Sequence, residues 1–269
     1  MTRTILITGS SSGIGRATAK QFHEQGWNVI ATMRGPEHET ELTALDNVLV
    51  TRLDVQDSAS ITAAVDAGLE RLGRIDVLLN NAGYGAYGLL EATSMDKISR
   101  QFDVNVMGLL ETTKAVLPHL RANGGGTIVN VSSIGGKVTF PLGTLYHGTK
   151  FAVEGLSEAL HYELASIGVN VKIVEPGIVD TDFAGRSFDF TNDENLTAYQ
   201  KTVAAFFTAQ GQMSGDAPEV IAETIYGAVT DGTDRLRYPA GSQAADLIAH
   251  RANTDDATFI GGIKLQFGL

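Results

Sequence analysis

Thr4-Ile5-Leu6-Ile7-Thr8-Gly9-Ser10-Ser11-Ser12-Gly13-Ile14-Gly15 reads as a strand, a turn and the start of a helix, and that order decides the fold. Ile5-Leu6-Ile7 is apolar at every position rather than at alternate ones, the pattern of a strand buried on both faces in a parallel sheet. The stretch after Gly15 is amphipathic, with Ala17 and Phe22 on one face. A glycine turn in this place lets the backbone pass close to a pyrophosphate, and the helix start offers free N–H groups and a positive dipole end. The spacing is G-x-x-x-G-x-G. It differs from the G-x-G-x-x-G dinucleotide fingerprint and lacks the Lys-Ser/Thr pair of a P-loop. A plain Gly/Ser turn is the bland alternative.

Working outward, further short apolar runs recur at Asn28–Ala31, Val48–Val50, Ile75–Leu79, Thr127–Val131 and Val169–Val174. The gaps between them are long enough for the crossover helices that parallel strands require. The expected fold class is α/β: a single-domain, Rossmann-like doubly wound parallel sheet of about seven strands over residues 1–269, with helices on both faces. Gly124-Gly125-Gly126 is expected to be a tight turn between a helix and a strand, and Pro118 to end or kink its helix. Residues 180–215 are irregular and rich in phenylalanine, which suggests a substrate loop or lid, with an aromatic-pinned surface loop as the alternative.

Composition narrows the function. The 269 residues carry a net charge of −11 and are 43% hydrophobic. Such a chain folds around a sizeable core and is poorly suited to nucleic acid or an anionic membrane surface. No apolar run approaches the roughly 18 residues of a membrane span, and the start is too weakly apolar for a signal peptide. Cysteine is absent, so no disulfide, thiolate metal cluster or Cys nucleophile is available. The expected compartment is cytoplasmic, and no metal site is expected.

The second strand points to a cofactor. An NAD site places an acid at that strand's end to hold the ribose 2′-hydroxyl. Here the end reads Ala31-Thr32-Met33-Arg34, and Arg34 suits the bidentate pairing of a 2′-phosphate. NADP(H) is therefore favoured over NAD(H), with Arg34 as a solvated strand-end charge the alternative. Tyr146-His147-Gly148-Thr149-Lys150 opens a helical stretch, which puts the phenol and the ammonium on one face, four residues apart. A nearby cation favours phenolate. Moving a phenol from about 10 toward 7 takes roughly 4 kcal/mol, more than one half-solvated lysine supplies, so a cofactor cation would have to help.

These residues, taken with Leu53-Asp54-Val55, Asn80-Asn81-Ala82-Gly83, Asn105, Ser132-Ser133 and Pro176-Gly177 with Thr181, resemble the short-chain dehydrogenase/reductase family of the Tyr-x-x-x-Lys type. The resemblance implies an oxidoreductase interconverting a carbonyl and an alcohol. Tyr146 would be the general acid/base and Ser133 the group that holds the substrate oxygen. Lys150 would lower the phenol's pKa and bond the nicotinamide ribose, and Asn105 would fix a relay water. The resemblance implies cofactor contacts from Gly9, Ser11, Ser12, Gly13, Ile14, Gly15, Arg34, Asp54, Val55, Asn81, Ala82, Gly83, Tyr146, Lys150, Pro176, Gly177 and Thr181. It also implies a homodimer or homotetramer.

Bland readings stand beside these. Asn80–Gly83 would serve as a turn, Asp54 as a helix cap or a solvated loop acid, and Ser132 and Ser133 as loop hydroxyls. His147, next to Tyr146 but about 100° round the helix, is expected to be a surface or pocket-rim group. Trp27 reads as edge packing, and Arg235–Pro239 resembles the last strand of that family's sheet, with no chemistry assigned to it. Phe183 is expected at the substrate. Phe188, Phe206, Phe207, Met213, Leu89, Leu142 and Tyr84 would complete an apolar pocket for a hydrophobic ketone or secondary alcohol. The apolar C-terminal residues Phe259, Ile260, Ile263, Leu265 and Phe267 would dock on a neighbour or on the protein's own core. A cofactor-binding sensor without turnover, and a reductase of activated C=C bonds, are the rival functions.

Overall fold

A computed structural model of the chain describes residues 2–181 and 187–269. Seven parallel strands form the central sheet: β1 (Thr4–Thr8), β2 (Asn28–Met33), β3 (Val48–Arg52), β4 (Val77–Asn80), β6 (Gly126–Val131), β7 (Val169–Pro176) and β9 (Arg237–Ala240). Their spatial order is β3-β2-β1-β4-β6-β7-β9. The chain winds outward from β1 in one direction, then returns to β4 and winds in the other. The switch point lies between β1 and β4, and there the strand ends open a crevice.

Strand side chains alternate between two cores. Ile5, Ile7, Val29, Ala31, Leu79 and Val129 face α1 (Gly13–Glu24) and α7 (Pro218–Thr230), meeting Phe22, Ile221 and Ile225. Leu6, Ile30, Leu78, Ile128 and Val171 face α2 (Ser58–Leu72), α4 (Gly108–Ala122) and α5 (Thr144–Leu164), meeting Val65, Val116, Leu120 and Leu164. Both faces are covered, so the strands read as unbroken apolar runs. Trp27 is 7% exposed and packs edge-on against Phe22 at 5.1 Å, as edge packing would have it.

Two expectations about the α4 region are refined. Gly124 and Gly125, at φ 81° and 143°, form the expected tight turn into β6. Pro118, however, does not end its helix; α4 runs on to Ala122. A proline removes one helical hydrogen bond, a loss that a last turn packed through Leu120 tolerates. Upstream, α3 (Met95–Phe102) joins α4 through a π-helical turn, Asp103–Met107. The extra residue of a π turn reorients one side chain within a continuous helix, and here that side chain is Asn105, 3% exposed.

A second, two-stranded sheet pairs β5 (Gly85–Gly88) with β8 (Phe188–Thr191), in parallel. Beyond β8 the 180–215 region contains a 3₁₀ turn (Thr197–Tyr199) and α6 (Gln200–Gln210). The C-terminal α8 (Ala244–Ala252) and α9 (Asp256–Gln266) pack from the same end of the sheet. Phe259 and Phe267 are buried in the protein's own core, at 5% and 3% exposure, whereas Ile260 and Leu265 face outward at 49% and 83%.

Candidate active site

The glycine turn and the β4 end close on each other through a dense set of bonds. Thr8 Oγ1 accepts from the amides of Asn81 and Ala82, both at 3.0 Å. Asn81 Nδ2 donates to the carbonyls of Thr8 and Gly9 at 2.9 and 3.1 Å. A Cβ on Gly15 would sit 2.3 Å from the Gly9 carbonyl oxygen and 2.5 Å from Asn81 Nδ2, so no side chain fits there. Gly9 and Gly13 hold φ of 74° and 55°, the left-handed region that favours glycine. Asn81 is thus a structural tie of the crevice, more than the turn residue it resembles in isolation.

The start of α1 is left open. Its cap residue, Ser12, makes no side-chain cap bond, whereas Asp57, Ser94 and Asp255 cap α2, α3 and α9. Ser11 is exposed, while Ser12, Gly13 and Ile14 are half-buried along the turn. Thr181 lies over Gly13, with its Cγ2 3.3 Å from where a Cβ would stand. Pro176 ends β7, and the Gly177 amide is bonded to Ala240 O at 2.9 Å. The β7 end is thereby fixed on the other side of the same crevice. The glycine cradle and the free helix start fit a dinucleotide pyrophosphate.

Along the crevice, an open pocket of about 470 Å3 lies at the β2 end, lined among others by Ser11, Arg16, Arg34, His38, Glu39 and Thr40. Arg34 is exposed there, with no hydrogen bond or ion pair to a described residue. Asp54 is half-buried. Its Oδ1 accepts from the Gln56 amide at 3.1 Å, but the cap of α2 is Asp57, not Asp54. Val55 is buried against Gly108, where a Cβ would come within 2.6 Å of the Val55 Cβ.

At the other end of the crevice, Ser133, Tyr146 and Lys150 come together. Ser133 follows β6, and its hydroxyl is hydrogen-bonded with the Tyr146 phenol. Ser133 Oγ also accepts from the Gly135 amide at 3.0 Å. Lys150 Nζ lies 5.7 Å from the Tyr146 ring centre and donates to Val131 O at 2.8 Å. Burial raises the Tyr146 pKa, and the bond from Ser133 offsets part of that. Burial likewise lowers Lys150 to about 8, opposed by the charge of Glu154 one helical turn on. Burial therefore decides the direction of both shifts, against the ionised phenol and against the charged amine.

Asn105 is tied from three sides. Its amide bonds Tyr84 through both backbone groups, at 3.1 and 2.9 Å, and donates to Thr149 Oγ1 at 3.1 Å. Thr149 in turn donates to Tyr146 O at 2.8 Å. The π turn is thereby locked to the helix that carries the phenol. Thr149 went unnoticed in the sequence, although it sits inside the Tyr-x-x-x-Lys stretch.

His147 is not a surface or rim group. It is 3% exposed, and its ring joins two loops: Nε2 accepts from the Phe140 amide at 3.0 Å, and Nδ1 bonds Gly135 O at 3.0 Å. The 100° that separates it from Tyr146 turns it into the 134–140 segment rather than toward solvent. Burial lowers its pKa, consistent with a neutral ring that accepts at Nε2. Tyr87 was likewise missed. It stacks on Tyr146 at 5.4 Å and on Phe188 at 5.2 Å. Phe188, Phe206, Met213 and Leu142 continue the cluster. Leu142, a non-glycine at φ 61°, is held there by the Gly88 amide at 2.8 Å. Tyr84 contributes its backbone to Asn105, Leu89 is buried, and Phe207 is 45% exposed. Phe183 lies outside the described residues.

The chain is similar to known oxidoreductases along its length. A short chain dehydrogenase profile matches residues 3–192. An uncharacterized oxidoreductase of Schizosaccharomyces pombe is 46% identical over 242 residues, covering 88% of this chain and all of that protein. The 3-ketodihydrosphingosine reductase of Bacteroides thetaiotaomicron is 40% identical over 203 residues, covering 76% of this chain and 72% of the reductase. A solved short-chain dehydrogenase from Streptomyces avermitilis superposes with a TM-score of 0.85 at 35% identity, covering 100% of this chain and 99% of that one. Solved neighbours at 25–26% identity, with TM-scores of 0.74, 0.76 and 0.78, hold NADH, NADP and NAD respectively. The glycine-lined crevice and its length-wide relatives identify one family: the chain belongs to the short-chain dehydrogenases, oxidoreductases that act on CH–OH and C=O groups with a nicotinamide cofactor.

Proposed function

We propose that the protein is an NADP(H)-preferring carbonyl reductase or secondary-alcohol dehydrogenase for a hydrophobic small molecule. The observation that carries the reaction type is the joining of Ser133, Tyr146 and Lys150 at one end of a glycine-lined crevice. Gly9 to Gly15 receive the pyrophosphate, Asp54 and Val55 the adenine, and Arg34 the 2′-phosphate. Asn81 to Gly83, Pro176, Gly177 and Thr181 line the rest of the cofactor.

The bound nicotinamide supplies or accepts the hydride. The chain's own groups handle the proton and the geometry. Ser133 Oγ and the Tyr146 hydroxyl hold the substrate oxygen from two sides, and Tyr146 gives it the proton, or takes it in the reverse direction. Lys150, pinned to Val131 O, keeps a positive charge under the phenol ring and bonds the ribose. Asn105 has its amide committed to Tyr84 and Thr149, so the relay water falls to its main-chain carbonyl. The pair Tyr87 and Phe188, backed by Phe206 and Met213, forms the apolar wall on which the substrate lies, with 180–215 acting as the lid.

The unpaired Arg34 supports NADP(H) over NAD(H). Intact Ser133, Tyr146 and Lys150 support turnover over a sensor role, and carbonyl over C=C reduction. A homodimer or homotetramer is supported by exposed apolar side chains on the α3–α4 and α5 segments, where Phe102, Met107 and Phe151 are 37%, 56% and 46% exposed. The test is a panel of aryl, alicyclic and long-chain ketones with NADPH and NADH. The expected result is turnover of some, with kcat/KM for NADPH above that for NADH by about tenfold or more, a margin that Arg34→Ala removes. Cofactor binding with no turnover across the panel would restore the sensor reading.

A further inference from the structure

The pocket that holds Arg34 also holds an acid. Glu39 lines it, and a free carboxylate there would repel a 2′-phosphate while accepting a bond from a 2′-hydroxyl. Arg16, on the first turn of α1, covers that carboxylate. Its Nη1 lies 2.6 Å from Glu39 Oε2 and its Nη2 3.0 Å from Oε1, the bidentate fork of an arginine–carboxylate pair. The Leu42 amide adds a bond to Oε1 at 2.9 Å, and the Glu39 side chain is only 7% exposed. Arg16 also takes Glu41, through Nε at 3.2 Å and Nη2 at 2.6 Å, and Glu41 pairs with Lys20. Two cations thus balance two carboxylates, which leaves Arg34 as a lining cation without a partner among the described residues. Glu37 stands apart beside His38, 3.5 Å away, and does not line the pocket.

We propose that Arg16 is a coenzyme-specificity residue that acts by masking Glu39: its guanidinium occupies the one acid among the described residues of the wall, so that a 2′-phosphate is accepted beside Arg34. This rests on the NADP(H) preference assigned above. Arg16 need not touch the phosphate itself, because both its edges are spent on carboxylates. Loss of Arg16 leaves Glu39 uncovered, and the penalty falls on the phosphorylated cofactor.

The test measures kcat/KM for NADPH and NADH in the wild type, Arg16→Met and Arg16→Met/Glu39→Gln. The expected result is a drop of about tenfold in the NADPH/NADH ratio for Arg16→Met, carried by NADPH alone, and its return when Glu39→Gln is added. Equal losses with both cofactors would make Arg16 merely a tie between loop and helix. A ratio that stays low in the double variant would mean that Arg16 binds the phosphate directly. Either outcome overturns the proposal. Should Arg16→Met not fold, Arg16→Lys replaces it; lysine keeps the charge but cannot fork across both carboxylates, so a smaller drop, again returned by Glu39→Gln, is expected. A wild type that prefers NADH would refute the Arg34 assignment separately, while the shift between variants still reports on masking.

Discussion

The proposed cofactor side of the crevice is built from backbone, and the proposed substrate side from rings. On the first, glycines at fixed dihedrals, the uncapped start of α1 and the Asn81 tie leave no room for a side chain. On the second, Tyr87 and Phe188 of the two-stranded sheet and Phe206 and Phe267 from α6 and the end of α9 pack with neighbouring centroids 5.2 to 6.5 Å apart. Backbone contacts depend on a few residue types at fixed spacing, so they tolerate little change. Ring contacts are non-directional and roughly proportional to buried area, so the same wall can be rebuilt with other large side chains.

The comparison breaks first at Gly15. Gly15→Ala puts a methyl 2.3 Å from the Gly9 carbonyl. The expected outcome is a loss of cofactor affinity of about a hundredfold, read by calorimetric titration, together with about 2–4 kcal/mol of stability, read by urea unfolding. Phe188→Ala should act on the other wall alone. KM for the best ketone should rise about tenfold, while NADPH affinity stays within a factor of about two. If Phe188→Ala weakened NADPH as strongly as ketone, the two walls would not be separable.

The smallest effect concerns a buried pair of carboxyls, one of them a helical turn beyond Lys150. Glu175 is 1% exposed beside Glu154; burial, and then the charge of Glu154, raise its carboxyl to about 7. The folded value lies above the unfolded 4.5. Between those two pH values the unfolded carboxyl releases its proton while the folded one keeps it, so stability falls as pH rises. Glu175→Gln should therefore match the wild type near pH 4.5 and exceed it by about 2–3 kcal/mol at pH 8. Urea midpoints across that range check it; a pH-independent difference would contradict the shared burial.

Legibility in the sequence followed the same division. Six strands of the main sheet, the glycine turn and the Tyr146–Lys150 spacing were readable, because buried parallel strands and backbone turns impose short local patterns, whereas β9 was legible only through the family resemblance. The β5–β8 sheet was not. Gly85–Gly88 and Phe188–Thr191 are four residues each and meet across a separation of about a hundred residues, so neither carries a periodic signal of its own. Asn105 was found, but its π turn was not, since one extra residue hardly changes an apolar pattern over 94–122. His147 was misplaced because helical angle alone does not show what packs against that face; here it is the 134–140 loop. The exposed Arg34 stood out only through the lack of an acid at its strand end.

At the centre stands the proposal that the phenol of Tyr146, bonded to Ser133 and underlain by Lys150, moves the proton and is not needed to hold the cofactor. Single-turnover oxidation of bound NADPH by the best ketone, in Tyr146→Phe against the wild type, measures that most directly. The expected result is a slowing of about a thousandfold with NADPH affinity kept within a few-fold. A Tyr146→Phe enzyme that turns over near the wild-type rate would contradict it.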